Sequence, residues 1–120
     1  MENIGNINKR EGTDGMEPQF NIISGAWNCD YNEIIAALNE NPDCINEQDE
    51  NGLTASHISA ALSNYGLLKV ICSANGFDPF LQDNFNRRAI DCILLPKTNN
   101  IRKILLHKMY GAFPELKNEL

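Results

Sequence analysis

The sequence predicts an all-α fold, a short solenoid in which antiparallel helix pairs are joined by extended turns. Two stretches carry this prediction, residues 49–57 and 83–91, because each has a polar, turn-forming start followed by short apolar spacing typical of a helix. The two stretches are related by a shift of 34 in residue number. A fixed period in the thirties is typical of stacked helical repeats, and small stacks of this kind usually bind other molecules.

The same shift recurs beyond these two stretches. The matched pairs are Gln48 and Gln82, Asp49 and Asp83, Gly52 and Asn86, Ala55 and Ala89, Leu67 and Ile101, Lys69 and Lys103, Val70 and Ile104, and Ile71 and Leu105. Residues 34–38 form a weaker copy of 67–71, at a shift of 33. The match of Gly52 with Asn86 is informative because Gly and Asn are the residues that best tolerate a positive φ, so both predict a tight turn.

The middle copy resembles the ankyrin repeat, whose pattern is a turn, Asp-x-x-Gly-x-Thr-Pro-Leu-His, two antiparallel helices and Gly-Ala-Asp. The matching residues are Asp49, Gly52, Thr54, His57 and Ala60, with the apolar run 67–71 and the Gly76-Phe77-Asp78-Pro79 segment after them. The resemblance extends over residues 17–113, as repeats 17–48, 49–82 and 83–113. It implies a solenoid with a concave protein-binding face.

The sequence departs from the family pattern at several positions. Ala55 replaces the family's Pro, and Ser56 replaces its core Leu. The third copy lacks the Gly, Thr and His, and has Asn86, Arg88 and Asp91 in this region. Terminal repeats are expected to differ from the pattern, because their outer faces meet water.

Apolar spacing predicts the helices without the family pattern. The predicted faces are Ile34, Ile35 and Leu38; Ile58, Ala61 and Leu62; Leu67, Leu68, Ile71 and Cys72; Ala89, Ile90, Ile93 and Leu94; and Ile101, Ile104, Leu105 and Met109. Asp30 and Glu33 have the spacing of a capping box, and Thr54 can cap the next helix. Pro42 and Pro96 interrupt helices, and Gly111 is a C-terminal stop.

Length and composition predict one domain flanked by tails. The chain has 120 residues, and residues 1–16 and 114–120 are expected to be an N-terminal flexible tail and a C-terminal tail. The N-terminal residues lack the apolar core of a signal peptide, and no segment has the ~20 apolar residues of a membrane span. We therefore expect a cytoplasmic protein that makes no membrane contact.

Charge is distributed unevenly along the chain. Residues 1–96 contain five basic and fourteen acidic groups, a balance of −9, whereas residues 97–120 contain five basic and two acidic groups, a balance of +3. Either this is ordinary solvated surface with a basic end, or the acidic part meets a basic partner. Direct nucleic-acid binding is not expected, since it needs clustered Lys and Arg. An acidic mimic of nucleic acid, which occupies a basic groove of another protein, is the alternative function.

The cysteines and histidines do not form a recognisable catalytic or metal-binding motif. None of the four cysteines is spaced as Cys-x-x-Cys, so we expect no metal and no cofactor. Cys29, Cys72 and Cys92 are predicted to be buried reduced thiols, and Cys44 the most exposed one. His57 is a formal candidate for a general base beside a cysteine. The resemblance instead implies that Thr54 and His57 link neighbouring turns by hydrogen bonds, and no enzyme activity is expected.

The family resemblance also implies where a protein partner binds. Turn tips and the inner face of each first helix form the concave surface of such stacks, and by position the predicted contact residues are Trp27, Glu50, Asn51, Leu53, Leu62, Asn84, Phe85 and Arg87. Ala61, Leu94 and Leu95 occupy related positions. Trp27 is either a packed end-cap residue or a contact, and Phe85 either packs on the adjacent turn or binds. Inhibitor, immunity protein and adaptor all remain open, as does the oligomeric state.

Overall fold

The computed structural model describes residues 19–94 and 99–111, and these residues form helices and turns without a strand. The helices are α1 Ile22–Trp27, α2 Tyr31–Glu40, α3 Ala55–Ala61, α4 Tyr65–Ser73 and α5 Asn99–Tyr110. Two 3₁₀ helices lie at Pro42–Asn46 and Ala89–Cys92. The predicted all-α class is confirmed. The expected tails, 1–16 and 114–120, lie outside the described residues.

The helices stack in two layers. In the first layer α1 packs against α3, and α3 packs against the second 3₁₀ helix. In the second layer α2 pairs with α1, α4 pairs with α3, and α4 also contacts α5. One core cluster lies between the first two helix pairs around Ile34, Ile58 and Ile71. A second cluster, around Leu68 and Leu105, joins the second pair to α5.

The first four α-helices begin at side-chain caps. Asn21, Asp30, Thr54 and Asn64 each accept a hydrogen bond from the backbone N–H three residues later. Each such cap is worth about 1 kcal/mol. The predicted capping box at Asp30 is only half formed, because the Glu33 carboxylate accepts the Asn21 N–H at 2.7 Å instead. Glu33 therefore ties the start of α1 to α2.

Left-handed residues join the helices within the first two pairs. Cys29 has φ 55°, and Ser63, one repeat period later, has φ 57°. At each junction the next residue's N–H bonds back five residues, from Asp30 to Gly25 and from Asn64 to Ser59. This is the Schellman arrangement, in which Gly is the usual left-handed residue. Neither junction contains a Gly at this position, so the turn was not apparent from the sequence.

Two of the predicted helical faces are wrong in part. The face of Ala89, Ile90, Ile93 and Leu94 was expected to be a helix, but only a 3₁₀ turn to Cys92 forms, and Leu94 is 74% exposed. Pro96 explains the loss, because its ring excludes the hydrogen bond that a continuing helix would need and disfavours helical backbone before it. On α2, Ile34 is buried whereas Ile35 is 45% exposed, since this outer helix buries one narrow stripe.

Candidate functional site

Two turns, residues 49–53 and 83–87, have the same internal geometry. The Asp49 carboxylate accepts the N–H groups of residues 51 and 53 at 2.8 and 2.9 Å. The Asp83 carboxylate accepts those of residues 85 and 87 at 2.8 and 2.9 Å as well. Gly52 has φ 81° and Asn86 has φ 64°, so the positive φ predicted for both is confirmed. Each turn is thus built around its own aspartate.

Hydrogen bonds join one turn tip to the next. Asn84 donates its backbone N–H to the Asn51 carbonyl and its side-chain N–H to the Glu50 carbonyl, both at 2.9 Å. Gln48 bridges the same turns, because its side-chain amide donates to the carbonyls of Gly52 and Gln82 at 2.8 and 2.9 Å. These contacts place Glu50, Asn51 and Asn84 side by side. The Gln48 bridge was not predicted, although the match with Gln82 at the repeat period was a signal for it.

His57 joins the second repeat to the third. The buried ring lies with Nε2 2.7 Å from the Arg87 carbonyl oxygen, while Nδ1 faces the Thr54 N–H at 3.2 Å and the Thr54 hydroxyl at 2.8 Å. A carbonyl only accepts and a backbone N–H only donates, so Nε2 carries the proton and Nδ1 accepts. The prediction that Thr54 and His57 link neighbouring turns is confirmed.

The predicted contact residues differ in how far their side chains are exposed to solvent. Phe85 is 73%, Trp27 50% and Leu62 42% exposed, and Glu50, Asn51 and Asn84 are also exposed. Leu53 is half-buried and packs on the first core cluster. Arg87 is exposed but engaged, since its Nε donates to Asp83 at 2.7 Å and its guanidinium lies 5.4 Å from the Phe85 ring centre.

The turn tips contact each other, and the first-layer helices that carry Trp27 and Leu62 pack side by side. The tips bring Glu50 and Asn51 against Asn84, as described above. Trp27 ends α1, and Leu62 directly follows α3; since α1 and α3 pack side by side, these two apolar groups project from neighbouring helices of the same layer. Leu94 was predicted to occupy the same place in the third repeat. The structure has only the 3₁₀ helix Ala89–Cys92 there, so Leu94 does not extend the layer.

Comparison with known proteins identifies the fold. No protein-family model and no curated protein matches the sequence. Among solved structures, the chain is similar to one chain of the complex between the Bd0816 predatory endopeptidase from Bdellovibrio bacteriovorus and immunity protein Bd3460, with TM-score 0.60 and 20% identity over 70% of this chain and 42% of that one. It is also similar to the ankyrin repeat domain of Bcl-3, described as a unique member of the IkappaB family, with TM-score 0.62 and 18% identity over 70% of this chain and 35% of that one.

The chain has the ankyrin-repeat fold. This conclusion agrees with the resemblance seen in the middle repeat. The chain spans less than half of the length of either matched neighbour. Among the helices of residues 19–94 and 99–111, none is long and apolar enough to cross a membrane.

One buried group in this ankyrin fold has the residue types of a metal site. Candidate ligand atoms of His57, Asp83 and Cys92 all lie within 4.8 Å of one another. Both ring nitrogens of His57 are already hydrogen-bonded, and Asp83 accepts the Arg87 Nε at 2.7 Å. A metal on Nε2 would have to replace the proton that is donated to the Arg87 carbonyl, which would break the bond between the repeats, and a metal on Nδ1 would displace the hydrogen bonds from Thr54. The cluster therefore fits a structural hydrogen-bond network better than a metal centre.

The cysteines differ from the prediction in two places. Cys29, expected to be buried, is exposed because it occupies the left-handed junction after α1. Cys44, expected to be the most exposed, is half-buried, and its thiol lies 3.5 Å from the Ala37 carbonyl. Cys72 and Cys92 are buried as predicted. Burial raises the pKa of Cys72 to about 12 and also raises that of Cys92, so neither is an activated nucleophile.

The Asp83 turn should make stability depend on pH at the acid end. Burial raises the pKa of Asp83, but hydrogen bonds from the N–H groups of Arg87 and Phe85 and from the Arg87 side chain outweigh it, so the pKa lies below its ordinary 3.8. A depressed folded-state pKa stabilises the protein above the unfolded value, and this contribution is lost as pH falls through the folded value. We expect Asp83→Asn to lower Tm at neutral pH.

Thermal unfolding of the wild type and Asp83→Asn between about pH 6 and pH 2 checks this prediction. The gap in Tm between the two proteins should be constant above about pH 5 and should shrink below about pH 4, because protonated Asp83 loses the charge that Arg87 binds. A gap that stays constant down to about pH 2 would show that the Asp83 charge does not stabilise the turn.

Proposed function

We propose that the chain is a non-catalytic module that binds one protein partner through its concave face. The contact residues would be the exposed groups of the turn tips and of the ends of the first-layer helices. The module would act by occupying the partner, as an inhibitor or an adaptor. The fold supports this proposal, and one of the similar structures is a complex that contains an immunity protein.

The exposure of Phe85, Trp27 and Leu62 is the observation that carries the proposal. Three large apolar side chains stand out from turns and helix ends whose backbone is held by caps and tip-to-tip bonds. Trp and aromatic groups on a rigid support are frequent binding hot spots, because little conformational entropy is lost when they are buried. Glu50, Asn51 and Asn84 would supply polar contacts around them.

The test begins with isolation of the partner from the native source and measurement of its affinity by calorimetry. We expect the double variant Trp27→Ala, Phe85→Ala to bind at least about 100-fold more weakly, since truncation of a hot-spot aromatic costs about 2 kcal/mol or more. Ile35→Ala is the matched control, because Ile35 is an exposed apolar residue on the outer helix α2. A control that weakens binding while the double variant does not would put the site on the other face.

An acidic mimic of nucleic acid is the second candidate. Residues 19–94 carry ten acidic and three basic groups, a balance of −7, and two of the basic groups, Arg87 and Arg88, are paired with aspartates. Burial is the main reason why the pKa of Cys44 is raised, and the negative charges of Glu47, Glu40 and Asp43 raise it further. These three carboxylates therefore form an acidic region beside Cys44. Charge-driven binding would weaken steeply between about 0.05 and 0.5 M salt, whereas binding through Trp27 and Phe85 would change little.

We further propose that the module works in the cytoplasm and that its partner has a basic surface. All four cysteines are free thiols, which suits a reducing compartment. The acidic balance of residues 19–94 would favour association with a positively charged surface. We propose that the module binds neither a small-molecule substrate nor nucleic acid directly.

A further inference from the structure

The sequence contains the dipeptide Asn-Gly twice, at residues 51–52 and 75–76, and both asparagines are exposed. An asparagine before Gly is chemically labile, because the backbone nitrogen of the Gly can attack the side-chain carbonyl carbon and no Cβ obstructs its approach. The attack requires that nitrogen to lose its proton to water. A Gly whose N–H is buried and hydrogen-bonded is therefore protected, whereas a Gly whose N–H is open to solvent is not.

The amide of Gly52 is held in place by the stacked turns. Its N–H donates to the Asp49 carbonyl at 2.9 Å and closes the turn. Gly52 is buried, and the Asn84 nitrogen of the next turn lies 2.8 Å from its ideal Cβ position. The Asn51 carbonyl is also engaged, since it accepts the Asn84 N–H at 2.9 Å. Attack of the Gly52 nitrogen on Asn51 therefore requires the two turns to separate.

The amide of Gly76 has none of these restraints. The turn after α4 is closed by the Phe77 N–H, which donates to the Ala74 carbonyl at 3.3 Å. The N–H of Gly76 lies within this turn, and no acceptor in the described part of the chain bonds to it. Gly76 is exposed, and no described atom beyond its chain neighbours lies within 4 Å of its ideal Cβ position. The Gly76 nitrogen is therefore accessible to solvent and to the Asn75 side chain.

We propose that Asn75 is a site of spontaneous modification, at which the folded chain converts this residue to aspartate and isoaspartate. The Gly76 nitrogen loses its proton to water and bonds to the side-chain carbonyl carbon of Asn75. The bond from that carbon to the amide nitrogen breaks, so ammonia leaves and a cyclic succinimide remains. Water then opens the ring: reaction at the side-chain carbonyl gives aspartate, and reaction at the backbone carbonyl gives isoaspartate. Water is the only co-reactant, and no group is oxidised or reduced.

The isoaspartate product changes a contact between the first and second repeats. The Gly76 carbonyl accepts the Asn46 side-chain N–H at 2.8 Å, and Asn46 Oδ1 accepts the Asp78 N–H at 2.9 Å. In isoaspartate the backbone runs through the former side chain and is longer by a carbon atom, so Gly76 is displaced relative to Asn46. Either product also adds a negative charge to a chain whose net charge is −6. This inference stands apart from the proposed binding function, because it needs no partner.

Peptide mass spectrometry of the full chain, incubated at mildly alkaline pH, tests the inference. Trypsin cleaves after Lys69, which places the two Asn-Gly pairs in different peptides. Each conversion raises the mass of its peptide, because an amide is replaced by a carboxylic acid. We expect Asn75 to convert at least about tenfold faster than Asn51 in the folded chain, because the Gly52 amide reacts only after local opening. In urea, where both turns are unfolded, the two rates should become similar.

Two substitutions test the proposed chemistry. Gly76→Ala should slow the conversion of Asn75 at least about tenfold, because the added methyl group obstructs the attack. Ser73→Ala is the matched control and should leave the rate unchanged, since the Ser73 hydroxyl bonds to the Lys69 carbonyl and not to the Asn-Gly pair. Equal conversion of Asn51 and Asn75 in the folded chain would overturn the inference, as would conversion of Asn75 in urea alone.

Amide hydrogen exchange at Asp78 measures the effect on the link between the repeats, because this amide is bonded to Asn46. We expect it to exchange faster once isoaspartate has formed. Asn75→Asp adds the charge without lengthening the backbone, so it should leave the exchange of Asp78 unchanged. Exchange that stays equally slow in the isoaspartate form would contradict the proposed displacement of Gly76.

Discussion

Gly52→Ala is expected to destabilise the protein by about 3 kcal/mol or more, the sum of a backbone cost and a steric cost. Gly52 has φ 81°, where an L-residue with a Cβ costs roughly 1–2 kcal/mol. A Cβ at this position would also lie 2.8 Å from the Asn84 nitrogen and 2.9 Å from the Asp83 Cα. Backbone atoms cannot rotate away, so the two turns must separate, and the bonds from Asn84 to Asn51 and Glu50 weaken, at about 1 kcal/mol each.

Urea unfolding measures this loss, and Gly76→Ala is its matched control. Gly76 has nearly the same backbone angle, φ 79°, but no atom within 4 Å of its ideal Cβ position. The control should therefore lose only the cost of the backbone angle, roughly 1–2 kcal/mol. The difference between the variants reports the contact between the turns. Equal losses would contradict the close stacking of the Gly52 and Asn84 turns.

His57→Ala is expected to cost about 3 kcal/mol for a different reason, the loss of buried hydrogen bonds. The substitution removes the acceptor of the Thr54 N–H and the donor to the Arg87 carbonyl, and it leaves a cavity between two repeats. An unsatisfied buried polar group costs about 1–3 kcal/mol, and the cavity adds to this. Because the lost bonds join the repeats, the third repeat should unfold more readily than the first.

Asp91→Ala is the control for His57→Ala, because Asp91 occupies the equivalent position one repeat later. Its carboxylate accepts the Arg88 N–H at 3.0 Å, but its side chain is 41% exposed and caps within its own repeat. We expect a loss of about 1 kcal/mol, typical of a cap. Denaturant unfolding followed by hydrogen exchange in α5 separates the two variants. If Asp91→Ala cost as much as His57→Ala, the bridge to Arg87 would contribute nothing beyond capping.

The sequence determined the features that depend on neighbouring residues. The positive φ of Gly52 and Asn86 and the cap at Thr54 were predicted correctly, because turn and cap geometry is dictated within a few consecutive residues. The stop at Gly111 follows the same logic. The repeat period then predicted the fold class, since equal segments in succession bury their apolar faces best by stacking.

Only the tertiary structure decided which of several competing partners each group has. Glu33 fits the local capping box, yet in the fold its carboxylate accepts the N–H of Asn21, the cap residue of α1, so the box is not completed. The repeat pattern indicated that Gln48 and His57 lie where turns meet, but the atoms that they bind, the carbonyls of Gln82 and Arg87, are decided by how the turns stack. The exposure of Ile35 and Cys29 was also decided by the tertiary structure. Apolar spacing indicates that a residue is suited to a core, but packing against the neighbouring helices decides whether its side chain is buried.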